Sequence, residues 1–360
     1  MSDGIRLAVK DLLDTAGLTT TYGSAIFAAH EPTRTAESVR RLETSGYANV
    51  GKTNLHEFAY GVTSENPHFG TVPNPLAPGR IAGGSSGGSA AALAAGLADA
   101  ALGTDSGGSI RIPAACCGIV GFKPTYDLVP TDGCFPLAPS FDHVGPMARN
   151  VNGCAGMIAA LVPEFEPIPL ESLEQVVVGV AWVEEANPLV RARVEAAAEL
   201  FPRRRAVDLP RPNADALFMR EVAEVHRELY EEQSELYSED LAVKIDRCLA
   251  VTDTEVREAE RSRAEYRELC EGLMEDVELV VTPTLSTVAP RTRIGDLVLR
   301  ALLIRNTLPV NALGWPALAL PCGPAEDLLP ASVQLIGRPG ADALVLAAGK
   351  VLEARLLDSS

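Results

Sequence analysis

The first half of the chain sets short apolar runs between glycine-rich breaks, and the second half sets them between long, charge-laced helices. Ile5–Lys10 alternates loosely between apolar and polar positions, the period-two pattern of a strand. Residues 35–45 put Val39 and Leu42 on one helical face, with Gly46 as the stop. Residues 47–52 read as a second strand and 54–60 as a short helix. The four prolines within 66–78 mark a loop. An Ala-rich helix over 90–98 and a strand over 99–104 follow. The turn 106–109 leads into an apolar stretch from Ile110, 124–146 is loop-like, and Val151–Leu161 is a buried helix. Further on, the pattern predicts strands at 176–182, 277–281, 317–321 and 333–336. Amphipathic helices are predicted at 189–201, 214–237, 253–274 and 342–356. Strands that alternate with helices argue for an α/β protein, and without a clean linker the reading is one domain around one sheet.

Composition narrows the class. With 360 residues, 47% apolar and 22% charged, the chain has ordinary globular make-up. No uncharged apolar run reaches the length of a membrane span, so no membrane association is expected. Residues 1–11 lack the apolar core of a signal peptide, which places the protein in the cytoplasm. The seven cysteines are odd in number and form no C-x-x-C pair, so they read as reduced, packed thiols and not as a disulfide or zinc framework. A net charge of −17 repels polyanions, and nucleic acid is not an expected partner.

Two segments carry candidate chemistry: Gly83-Gly84-Ser85-Ser86-Gly87-Gly88-Ser89 and Gly103-Thr104-Asp105-Ser106-Gly107-Gly108-Ser109-Ile110-Arg111. Glycine permits close backbone approach, and successive N–H groups in such turns can converge on an anion. A serine beside that nest has what acyl transfer requires, an attacking oxygen and donors for the oxyanion. Either run alone is more often a turn or a phosphate nest. Residues 83–87 also fit G-x-S-x-G, but the strand that a nucleophile elbow needs is poor here. The late histidines are His143 and His226, the latter reading as a solvated residue on a charged helix.

The stretch from Gly83 to Thr125 resembles the signature segment of the amidase-signature family, and Ser85 and Ser109 stand 24 residues apart, as that family's two catalytic serines do. Residues 8–11 resemble the strand of its catalytic lysine. Residues 51–58, 311–323 and 334–339 are similar to further family segments. The resemblance covers most of residues 5–160 and returns at about 275–357. It implies a single domain over 1–360 with a central mixed β-sheet covered by helices on both sides. Within it lie a catalytic half (1–160), a variable helical region carrying specificity (163–275) and a C-terminal part of the same sheet (276–360).

It also implies Ser109 as nucleophile, Ser85 as bridging serine after a cis peptide bond, and Lys10 as base. The N–H groups of Ser106, Gly107, Gly108 and Ser109 are implied as the oxyanion hole, with no metal and no cofactor. A lysine base must be neutral, so Lys10 is expected to be buried. Asp105 and Arg111 read as scaffolding that pairs internally, and Cys116 and Cys117 as core. His56-Glu57 is weak as a metal site. Phe135, Phe141, His143 and Trp315 read first as packing, with a cleft-lining role as the alternative. Ser106 stands where the family often has threonine or an aliphatic residue, and little effect is expected from that. The family's helical segment ahead of the lysine strand is not present in this sequence, and the expected assembly is a monomer or homodimer. The expected activity is hydrolysis of a small carboxamide or aryl amide. A glutaminase-type subunit of a tRNA-dependent amidotransferase and a non-catalytic binding protein on the same fold are the alternatives.

Overall fold

The computed structural model describes residues 4–358. The first half of the chain supplies β1 (Ile5–Lys10), α1 (Glu37–Thr44), β2 (Tyr47–Thr53), and a two-stranded ribbon of β3 (Glu65–Asn66) and β4 (Gly70–Thr71). It continues with α2 (Gly87–Ala94), β5 (Ala100–Thr104), α3 (Arg111–Cys117), β6 (Val120–Lys123), β7 (Val144–Ala148) and α4 (Val151–Leu161). The middle region holds β8 (Val178–Val180), α5 (Pro188–Glu199), β9 (Arg204–Ala206), α6 (Asp215–Gln233), α7 (Glu239–Leu249) and α8 (Asp253–Leu273). The last part adds β10 (Leu279–Pro283), α9 (Asp296–Ile304), α10 (Leu308–Leu313), β11 (Ala317–Pro324), β12 (Pro330–Gly337) and α11 (Asp342–Asp358).

Ten strands form one sheet in the order β2-β1-β5-β7-β6-β11-β12-β10-β8-β9. The outer pairs are parallel, β1 with β2 and β5 on one side and β8 with β9 and β10 on the other. The central strands β7, β6, β11 and β12 pair antiparallel, so the sheet is mixed. Successive residues of a strand point to opposite faces, and the packing divides accordingly. Leu7, Val9, Leu102, Leu279, Val281, Leu318 and Leu320 pack with α1, α4, α5 and α11. Their neighbours Ala8, Ala101 and Ala319 meet α2 and α3, and Val280, Ala317 and Ile336 meet α6, α7 and α8. The alanines on this second face let α2 and α3, themselves Ala- and Gly-rich, lie close to the sheet. The chain is thus a single α/β domain with helices on both sides of a mixed sheet.

Several elements differ from the sequence reading. Residues 54–60 are not a helix: only Glu57–Ala59 makes a 3-10 turn, because Phe58 (φ 46°) and Ala59 (φ 59°) take left-handed conformations. Residues 124–146 contain the start of β7, and α3, β6, β9, α7, α9 and α10 are additional. Among the described residues, no helix is long and apolar enough to cross a membrane.

Candidate active site

β1 and β5 are parallel neighbours, and both end at the same edge of the sheet, so their last side chains, Lys10 and Thr104, lie side by side. Crevices at the carboxyl ends of parallel strands are common places for ligands. Lys10 is fully buried, and its Nζ lies 2.7 Å from Ser85 Oγ and 2.6 Å from Thr104 Oγ1. Burial pushes the Lys10 ammonium down to about 7, against the opposing pull of Cys134, Asp105 and Asp142. The lysine is therefore poised between its two protonation states near neutral pH.

Ser85 follows a cis Gly84–Ser85 peptide bond and precedes α2. Its carbonyl accepts the His56 N–H (3.3 Å) and the Ser64 hydroxyl (3.3 Å). A side chain at Gly84 would meet Ser64 N at 2.9 Å, and one at Gly88 would meet Asn54 O at 2.3 Å. These glycines let the loop sit directly on the 54–64 backbone. Ser86 ties the two Gly/Ser segments together: its N–H donates to Ser109 O (3.2 Å) and its hydroxyl to Thr104 O (3.2 Å). The loop bearing Ser85 and the turn bearing Ser109 are thereby held against each other. Ser109 is buried, with 7% of its surface exposed.

Asp105 organises the turn between β5 and α3. Its carboxylate accepts the N–H groups of Gly108 (2.8 Å), Ile110 (3.2 Å) and Arg111 (3.4 Å). The Arg111 guanidinium adds two bonds, at 3.0 and 2.9 Å, and Asn311 Nδ2 a third at 2.9 Å. Arg111 also donates to Gln334 Oε1 and Asn311 Oδ1, both at 2.7 Å. Burial by itself would raise the Asp105 carboxyl, but Arg111 beside it holds it well below the usual carboxylate range. The expected scaffolding pair is therefore present and fully buried. Of the four amides expected to face an oxyanion, that of Gly108 is given to Asp105 instead.

The remaining residues singled out in the sequence fall into place. Ser106 does more than offer its amide: its hydroxyl donates to Asp142 Oδ1 at 2.6 Å. His143 is buried and meets Lys123 Nζ (3.1 Å) and Phe141 O (2.7 Å). His226 is buried instead of solvated, since α6 turns it onto Phe58 and the Tyr237 hydroxyl (3.0 Å). Among the described residues neither histidine reaches Ser85 or Ser109, which removes the nucleophile-elbow geometry. Cys116, Cys117, Phe141 and Trp315 are core, while Phe135 is half-buried. His56, Asp240 and Asp296 bring possible metal-ligand atoms within 4.8 Å of one another. Lys244 Nζ already contacts both carboxylates, at 2.5 and 2.6 Å, and supplies the positive charge there.

The family model Amidase matches residues 3–163 and 160–346, and the chain belongs to this family of amide carbon–nitrogen hydrolases. It is 36% identical to the 1-carboxybiuret hydrolase subunit AtzE of Pseudomonas sp. (strain ADP), over 97% of this chain and 83% of that protein. It is 34% identical to a glutamyl-tRNA(Gln) amidotransferase subunit of Moorella thermoacetica (strain ATCC 39073 / JCM 9320), over 97% of this chain and 82% of that protein. Among solved structures, the crystal structure of an amidase superposes with a TM-score of 0.90 at 36% identity, covering 98% of this chain and 84% of that one.

Proposed function

We propose that this protein is a serine amidohydrolase that cleaves a small carboxamide or aryl amide, with Ser109 as nucleophile, Ser85 as proton bridge and Lys10 as base. The observation that carries this reading is the buried Lys10 amine, 2.7 Å from Ser85 Oγ and lowered to about 7. A serine hydroxyl is a weak nucleophile until a base takes its proton. Neutral Lys10 takes the Ser85 proton as Ser85 takes that of Ser109. Ser109 Oγ then bonds to the amide carbon, and the carbonyl electrons move to oxygen. The N–H groups of Ser106, Gly107 and Ser109 receive that charge. The carbon–nitrogen bond breaks as the leaving nitrogen recovers the proton from Lys10 through Ser85. Water, deprotonated along the same path, cleaves the acyl-Ser109 ester.

The middle region, 163–275, is proposed to set which amide is accepted, since α6 places Phe218 against Phe141, and His226 against Phe58. The amidotransferase relatives favour a second reading, a glutaminase-type component of a larger complex. Ammonia release from glutamine only on addition of partner chains distinguishes it.

The test is labelling by a serine-directed fluorophosphonate with mass spectrometry of the adduct, alongside turnover of a panel of primary amides and anilides. Wild type is expected to carry the adduct on Ser109. Ser109→Ala is expected to lose both adduct and turnover, and Lys10→Ala to slow both by roughly 10²–10⁴-fold. An adduct on another residue, or Lys10→Ala at the wild-type rate at neutral pH, overturns the assignment.

A further inference from the structure

Asp142 lies in the loop ahead of β7, 36 residues after Ser106, and closes a small cavity together with Thr104, Ser106, Cys134, Phe135 and His143. Its two oxygens accept from three donors. Ser106 Oγ–H reaches Oδ1 at 2.6 Å, the Leu137 N–H reaches Oδ2 at 2.9 Å, and the Ala138 N–H is 3.2 Å from both. Among the described residues no cation lies within salt-bridge distance of this carboxylate, unlike Asp105, which Arg111 neutralises. Burial accordingly pushes the Asp142 carboxyl up, against these hydrogen bonds and the nearby Lys10. A buried carboxylate held only by a hydroxyl and two amides is costly unless all its partners stay in place.

The consequence concerns the oxyanion turn. With the Gly108 N–H committed to Asp105, Ser106 is the first donor of the cradle; the Asp105 carbonyl of the same peptide accepts Asn311 Nδ2 (2.8 Å), and the Ser106 side chain adds the tie to the 137–142 loop. We infer that Asp142 is a positioning residue of the active site: by accepting the Ser106 hydroxyl it fixes the Ser106 amide in the orientation that receives the oxyanion, and locks the 137–142 loop to it. This rests on the serine mechanism proposed above. An alanine or aliphatic side chain at 106 has no such tie, whereas threonine keeps it.

Fluorophosphonate labelling of Ser109 tests this, since phosphonylation also develops charge on the oxygen facing the cradle. Ser106→Ala keeps the backbone N–H. It is expected to lower the maximal labelling rate by about 10–100-fold, less than the loss of an oxyanion donor outright, with the concentration for half-maximal rate changed less than about twofold. Ser106→Thr is expected to restore at least half the wild-type rate. Asp142→Asn on top of Ser106→Ala is expected to add little, because the two act through one bond. Ser106→Ala at the wild-type rate, Ser106→Thr no faster than alanine, or fully multiplicative effects of the pair overturn the inference while labelling of Ser109 still stands. Thermal melting of Ser106→Ala separates a rate effect from unfolding: a rate loss that disappears when only folded protein is counted also overturns it. A wild-type protein not labelled at Ser109 at all removes the serine mechanism and this inference together.

Discussion

At the scale of single residues, the proposed chemistry turns on the protonation of Lys10. Its burial favours the uncharged amine, and only the uncharged amine can accept a proton. Activity measured as kcat/KM should therefore be low at acid pH and rise through about 7 to a plateau. The direction is set by the base: protonation below that value removes the acceptor. Lys10→Arg tests the point more sharply than alanine, since the guanidinium fills similar space but is not deprotonated in proteins. That variant should be inactive at every pH where the fold survives, with no rising limb. A retained limb near 7 in Lys10→Arg would assign it to another group.

At the scale of elements, the turn between β5 and α3 is the part most tightly determined. Asp105 gathers three backbone amides, Arg111 and Asn311, all buried, so the first turn of α3 and the Ser109 peptide are held by one carboxylate. Asp105→Ala strands Arg111 without its charge partner and is expected to cost about 3–5 kcal/mol, read as a lower midpoint in chemical denaturation. The pH dependence follows from the same pairing. Asp105 ionises more easily folded than unfolded, so its stabilisation is complete above the unfolded value of about 4 and is lost as pH falls below it.

The sequence pattern revealed long, periodic elements well: β1, α1, β2 and α4 stand where the periodicity puts them. It failed at β6 and β7, because a glycine and, in β7, Pro146 interrupt strands that are nonetheless central and buried. It failed at 54–60 because two left-handed residues in a row leave no compositional trace. The family resemblance singled out Lys10, Ser85 and Ser109, and the structure sets Lys10 Nζ within hydrogen-bond distance of Ser85 Oγ. Asp142 was not legible, since its meaning arises only when a loop 36 residues away folds over Ser106; an acid set between Phe141 and His143 was the one signal available.

At the scale of the whole molecule, the middle region has to be fixed to the first half of the chain if it is to influence what reaches Ser109. Lys244 makes that connection. It projects from α7, bonds Asp240 one turn earlier, donates to Tyr60 O at 2.9 Å, and meets Asp296 at the start of α9. Asp296 in turn accepts the N–H groups of Val62 (2.6 Å) and Thr63 (3.2 Å), in the segment whose Ser64 hydroxyl reaches Ser85 O. One ammonium thus links the helices of the middle region to the backbone beneath Ser85. Lys244→Met leaves the buried Asp296 without its lysine partner, with only His56 at 3.8 Å beside it, and should cost about 3–5 kcal/mol. If the domain unfolds as one unit, that loss appears as a lower denaturation midpoint with an unchanged slope. Adding Asp296→Asn removes the stranded charge and should recover part of the loss, because the two side chains share one interaction. A lower slope instead, with two resolved transitions, would show the middle region unfolding on its own and would mean that its hold on the catalytic half is weak.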